Sequence, residues 1–343
     1  MSYKIPKKYI NKLAKTNKIK YFGRDVAEVI VDLETNHKSD LMYLEEIFQF
    51  ASKYITLLKP ENSFPDTVKT PELFMQKLID EGIIHYNQIN KTWQPTLTDN
   101  IKICAVKHVD STVYLKFVIG KETIKKNEWD YETVKYPHII SAALDFQNEL
   151  IEVRCAKSEV DKYKNHIMSL MGFAKPYEAF SVPKMTKETA EAFCKILSAG
   201  IISSHIALPT TVGSVRFNGI KGIDLNKDDT LTAIKKAFES IGLPTTDTMD
   251  QEAMFEFTDP CTNIQFDVYL HVNIEEGFFK FKEEVSEAVI NHVKEALLRV
   301  TNHGTEDLSG DEIAVKVVVE EVLAAESQVA PASMEQQMKL DIK

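Results

Sequence analysis

The stretch IKICAVKHVDSTVYLKFVIG, residues 101–120, sets the fold class. Ile101, Ile103 and Ala105, then Val113, Leu115, Phe117 and Ile119, alternate with polar neighbours. A period of two places one side of a strand against a core. Before this stretch the apolar residues recur mainly at helical spacing; after it, strand and helix patterns intermingle. The expectation is an α+β chain, with a helical N-terminal domain followed by one or two domains of antiparallel sheet plus helix.

Working upstream, residues 6–17 read as a helix with Tyr9, Ile10 and Leu13 inward, and 24–34 as a second. A third runs over 39–58, where Leu41, Leu44, Ile47, Phe48, Ala51, Ile55 and Leu58 form a stripe that Pro60 stops. Thr70 caps, and Pro71 opens, a helix over 71–81 that Gly82 ends. Ile83–Tyr86 and Thr92–Pro95 then read as a hairpin.

The order helix, loop, helix, "LIDEGII", then a two-stranded wing ending in "TWQPTLTDN", resembles a winged-helix domain over residues 40–98. The resemblance implies a recognition helix at 71–81 and contact with DNA or with a protein. That helix offers Gln76 and Lys77 but also Glu72, Asp80 and Glu81, so its face is not basic.

Working downstream, Lys121–Tyr136 reads as a polar connection, 138–146 and 150–156 as a hairpin, and 158–171 as a helix closed by Gly172. A helix capped by Thr186 is expected over 186–199, with strands at 201–208 and 213–218. Asp228 caps a helix over 228–241 whose Leu231, Ile234, Ala237 and Phe238 should face inward. Strands at 252–258, 264–272 and 277–281 precede a last helix at 284–300. Divisions are expected at 1–98, 99–174 and 175–300, followed by an acidic, partly disordered tail at 301–343. Glu149–Leu170 and Glu275–Ala296 align without a gap, each reading as strand then helix, each with Asn-His before a β-branched residue; a duplicated unit and coincidence both account for this.

The chain has 343 residues and a formal net charge of −10. The charge is uneven. Residues 1–24 hold seven Lys and one Arg without an acid, a local +8, whereas residues 301–343 hold nine acids against three Lys, a local −6. An acidic whole argues against indiscriminate nucleic-acid binding, but a basic head can contact phosphate. Only four of the 41 basic residues are Arg, which favours backbone contact over base reading. No apolar stretch of roughly 7–15 residues follows the basic start, and none approaches a membrane span. The expectation is a cytoplasmic protein with no membrane partner.

The four cysteines, Cys104, Cys155, Cys194 and Cys261, form no CxxC pair and read as free thiols. The nine histidines are scattered and form no HExxH or HxH pair, so no metal or cofactor is expected. Asn218-Gly219-Ile220-Lys221-Gly222 is a GxxG turn with a central Lys. KH domains use that device to clamp a nucleic-acid backbone, although they set it between two helices and here a strand precedes it. Asp145, Glu152 and Arg154 resemble the Asp…Glu-x-Lys set of restriction-endonuclease-class nucleases, with Arg in the Lys place. A solvated sheet face accounts for the same letters.

The leading expectation is therefore a non-catalytic binding or adaptor protein that contacts DNA or RNA backbone. The residues expected to do so are Lys4, Lys7, Lys8, Lys12, Lys15, Lys18, Lys20, Arg24 and Lys221. Its rivals are a protein–protein or self-associating module without nucleic acid, and a metal-dependent nuclease built on Asp145, Glu152 and Arg154.

Overall fold

The computed structural model describes residues 5–126, 130–208, 213–220, 223–243 and 248–303. Helices α1 (Lys7–Thr16), α2 (Val26–Asn36) and α3 (Lys38–Ile47) come first, then strands β1 (Ser52–Tyr54) and β2 (Thr56–Pro60). Helix α4 (Pro71–Asp80) and β3 (Lys91–Thr92) lead into β4 (Lys102–Val109), β5 (Thr112–Lys126), β6 (Tyr131–Asp145), β7 (Leu150–Arg154), α5 (Lys157–Met171) and β8 (Ala179–Ser181). The remainder is α6 (Lys187–Ile196), β9 (Gly200–Ala207), β10 (Ser214–Asn218), α7 (Asp229–Ser240), β11 (Thr248–Thr258), β12 (Gln265–Asn273), β13 (Phe278–Val285) and α8 (Glu287–His303). The class is α+β, with two antiparallel sheets. Among the described residues no helix is long and apolar enough to cross a membrane.

Sheet I has the order β3-β4-β5-β6-β7-β2-β8 and sheet II the order β1-β13-β12-β11-β9-β10. The two share a plan. Strands β4-β5-β6-β7 and β9-β11-β12-β13 each form an antiparallel run of four, and each run feeds a helix, α5 or α8. The last strand of each run takes one more strand from residues 52–60: β2 pairs with β7 and β1 with β13. The segments expected to align, Glu149–Leu170 and Glu275–Ala296, occupy the same place in the two runs. His166 on α5 packs its ring on Phe117 of β5 at 5.4 Å, and His292 on α8 packs on Phe255 and Phe257 of β11 at 5.8 and 5.5 Å.

Alternation places Val113, Leu115 and Phe117 of β5 on one face of sheet I, where Phe74 and Leu78 of α4 and Tyr163 and Ile167 of α5 close a core. The other face meets α8. Glu287 of α8 reaches Arg154, Lys294 lies 3.6 Å from Asp145, and the imidazole of His292 meets sheet II. Helix α8 thus lies between the sheets, with Val289, Ile290, Val293, Ala296, Leu297 and Val300 buried.

Local signals hold where the chemistry is local. Thr70, Thr186 and Asp228 accept the expected capping hydrogen bonds. Gly172 ends α5 at φ 87°, in the left-handed region that favours glycine. Four readings are corrected. The expected helix 39–58 stops at Ile47, and residues 52–54 and 56–60 become strands. There Tyr54, Ile55 and Thr56 suit a pleated surface, and pairing to two sheets outweighs helical spacing. The expected wing does not form: Tyr86–Gln88 is a 3-10 turn, and Lys91 and Thr92 pair with Val106 and Ala105 instead. The connection 121–136 is mostly strand, since β5 and β6 run on in register from Gly120↔Pro137 to Lys126↔Tyr131. Exposure of this extension leaves no alternation to read. Helix α7 buries only Leu231 of its expected inward set, and Ile234 stays 37% exposed.

Candidate anion-contact site

Helix α1 is amphipathic, with Tyr9, Ile10, Leu13 and Ala14 buried. Tyr9 packs between Phe48 and Phe266, ring centres 4.4 and 4.3 Å away, which seats the helix on the end of sheet II. Docking divides the basic head into two sets. Lys8 pairs with Glu283, its ammonium 4.7 Å from the Tyr9 ring centre. Lys12 donates to the carbonyl of Gln265 and lies 4.9 Å from the Phe266 ring. Burial lowers the pKa of Lys12, and neighbouring Lys8 and Lys15 lower it further, against Asp267 and Glu256. Arg24 donates to Asp32 at 2.7 Å, to Glu28 at 3.2 Å and to the Lys20 carbonyl at 2.9 Å. Those carboxylates raise its pKa.

Lys7, Lys15, Lys18 and Lys20 are exposed, and no carboxylate among the described residues lies within ion-pair distance of them. Lys18 stands at φ 57°, and the Arg24 guanidinium clasps the turn that follows. On that turn Phe22 is 86% exposed. Composition alone did not single out Phe22; an aromatic between Lys20 and Arg24 was the available signal. Lys4 and Lys221 lie outside the described residues. The chain leading to Lys221 leaves β10, three strands from β12, whose first residue receives Lys12. At the usual strand spacing that is about 14 Å across the sheet.

Asp145, Glu152 and Arg154 serve two separate structures. Asp145 holds the β6–β7 turn, accepting from the backbone of Gln147 and Asn148 at 3.1 and 3.0 Å and from the Asn148 amide at 3.0 Å. Arg154 is buried. It donates to Glu152 at 2.7 Å, to the Phe50 carbonyl at 2.7 Å, and to both oxygens of Glu287 at 2.5 and 2.6 Å. Burial opposes its charge, yet the two carboxylates outweigh this and raise its pKa above the ordinary value. The arrangement is a bidentate pair that ties sheet I to α8.

A second charged group, scattered in sequence, assembles on the open face of sheet II. His205 of β9, Asp250 of β11, His271 of β12 and Arg216 of β10 come together there. Asp250 Oδ2 meets His205 Nδ1 at 2.9 Å, and its two oxygens accept from Arg216 Nη2 at 2.9 and 3.0 Å. His271 Nε2 lies 3.5 Å away, and its buried Nδ1 has no hydrogen-bond partner. Burial works to raise the pKa of Asp250, but the His205 hydrogen bond and the Arg216, His271 and His205 charges hold it below the ordinary value. No spacing motif announces this group, because register across four strands makes it. Among the described residues no three His, Cys, Asp or Glu side chains converge to hold a metal ion.

No protein-family model matches the chain, and no curated protein is detectably similar to it.

Proposed function

We propose that this is a non-catalytic, cytoplasmic binding protein that contacts the phosphate backbone of nucleic acid through its N-terminal head. The observation supporting this reading is that Lys7, Lys15, Lys18 and Lys20 stay exposed, with no ion pair among the described residues, while Lys8, Lys12 and Arg24 are held by the protein itself. Ammonium groups without internal partners are the ones that release counterions from phosphate. Phe22 beside them offers a stacking face to an unpaired base.

Four contacts imply a shallow salt dependence. The slope of log K against log salt is about −3.6 for duplex DNA, against about −7 if all eight basic residues of the head took part. Fluorescence anisotropy with single- and double-stranded oligonucleotides over a salt series measures it. The variant K7Q/K15Q/K18Q/K20Q should lose binding, and K8Q should retain most of it. Absence of binding at low salt, or a slope unchanged in the fourfold variant, defeats the reading.

A protein partner or self-association is the second reading. It is favoured by β10, which pairs only with β9 among the described residues, and by Ile220, Ile234 and Ile241, which are 77%, 37% and 70% exposed. Light scattering across a concentration series, with I241K as the variant, tests it: a species that stays monomeric removes the self-association case.

A further inference from the structure

A cleft of about 650 Å³ opens between the inner face of sheet II and helices α6 and α7. Ser204 on β9 and Gln251 on β11 are cross-strand partners at its floor, 6% and 7% exposed. Beside them Cys194 of α6 accepts from the Gln251 amide at 3.9 Å. Burial pushes the Cys194 thiol up to about 12, so it stays protonated and neutral. The floor is polar and uncharged, built of groups that can hydrogen-bond but not react.

The walls carry the opposite character. Lys187 and Lys195 come from α6, Lys227 from the 3-10 turn Leu225–Lys227, and Lys235 from α7. Two carboxylates, Glu191 and Asp224, also line the cleft. Asp224 is engaged: it accepts from the backbone of Ile201 at 3.0 Å and of Asn226 at 3.1 Å, and Lys227 lies 3.5 Å away. Among the described lining residues, four ammonium groups against two carboxylates give a local positive balance in a chain of net charge −10. Low-dielectric walls focus such a field into the cleft. Ile201, Leu225 and Leu231 supply an apolar side.

We infer that this cleft binds a small phosphate ester. The phosphate sits among Lys187, Lys235 and the neighbouring ammonium groups. The uncharged part of the ligand lies on Leu225 and Leu231, with its polar edge on Ser204 and Gln251. The volume falls within the range of about 300–1,000 Å³ usual for small-molecule sites. This site is separate from the N-terminal head: the cleft takes Thr248 and Gln251 from the start of β11, whereas α1 sits by Gln265, the partner of Thr258 at its far end.

Calorimetric titration and thermal-shift assays of the full chain with AMP, pyrophosphate and adenosine test the inference. AMP and pyrophosphate should bind and raise the melting temperature, and adenosine should do neither. K187Q/K235Q, both on helix surfaces and checked for an unchanged unliganded melting curve, should weaken AMP binding by about tenfold or more. K7Q/K15Q/K18Q/K20Q should leave it intact, which separates this site from the nucleic-acid reading. The inference is overturned if neither phosphate compound binds at about 10 mM. It also falls if K187Q/K235Q binds AMP as the parent does, or if only the N-terminal variant loses binding.

Discussion

Sheet I and sheet II repeat one plan, yet they treat charge on their second faces in opposite ways. In sheet I that face is covered by α8, and buried Arg154 and Glu152 are locked to half-buried Glu287. In sheet II it is open, and Arg216 and Asp250 come together with His205 and His271 at partial exposure. A pairing of Arg with carboxylate becomes a tie between layers in one half and a partly exposed surface group in the other. What differs is the cover, which changes the cost of leaving a charge without a partner.

Breaking the two groups in parallel should give the largest contrast. Glu287→Ala leaves the buried Arg154 guanidinium with Glu152 and the Phe50 carbonyl but without its bidentate partner, and should destabilise by about 3–5 kcal/mol in urea unfolding. Asp250→Asn, whose partner Arg216 is 38% exposed and can turn to water, should be limited to about 1–2 kcal/mol. Equal losses would erase the distinction between the faces.

The second contrast is with pH. The folded pKa of Asp250 lies below its ordinary 3.8. Its stabilisation is therefore complete above that value and disappears as pH falls through the lower folded value. The stability gap between parent and Asp250→Asn should be constant near neutrality and close only in acid. A gap that closes near pH 6.5 would implicate the histidines instead.

The paired imidazoles sharpen the likeness of the halves. Burial lowers the pKa of both His166 and His292, the latter also under the opposing charges of Glu295 and Arg299. Each makes folding weaker as pH falls below the ordinary 6.5. His166→Leu and His292→Leu should each flatten the stability profile on that side, with the same sign. The smallest effect is expected at the surface: Lys8→Gln should change stability by no more than about 1 kcal/mol, although Lys8 pairs with Glu283.

Sequence carried the strands whose alternation a core enforces, as in 101–119, and the helix ends fixed by Thr70, Thr186, Asp228 and Gly172. It misled where one pattern served two readings. Leu58 continues the helical stripe of Leu41 and Leu44, yet it lies in a strand because Ile151 and Ser181, 93 and 123 residues away, claim it. The extension of β5 and β6 had no buried side to write a pattern. The basic head was legible as a count of lysines. Which of them stay free was not, because Glu283 and Gln265 reach Lys8 and Lys12 from 275 and 253 residues away. The lysine-lined cleft is assembled from three separate elements, so no local spacing could reveal it.

The short stretch at 52–60 sets an order of events during synthesis. Ser52 finds its partner only at Val285, and Thr56 only at Val153. At usual ribosomal speeds, Ser52 leaves the peptidyl-transferase centre on the order of 10–50 s before its mate is made. Until Val153 is made, strand-forming residues with apolar Leu57 wait unclaimed and sheet I cannot be finished, and Ser52 and sheet II wait on to Val285. Chaperone demand on the nascent chain should concentrate there.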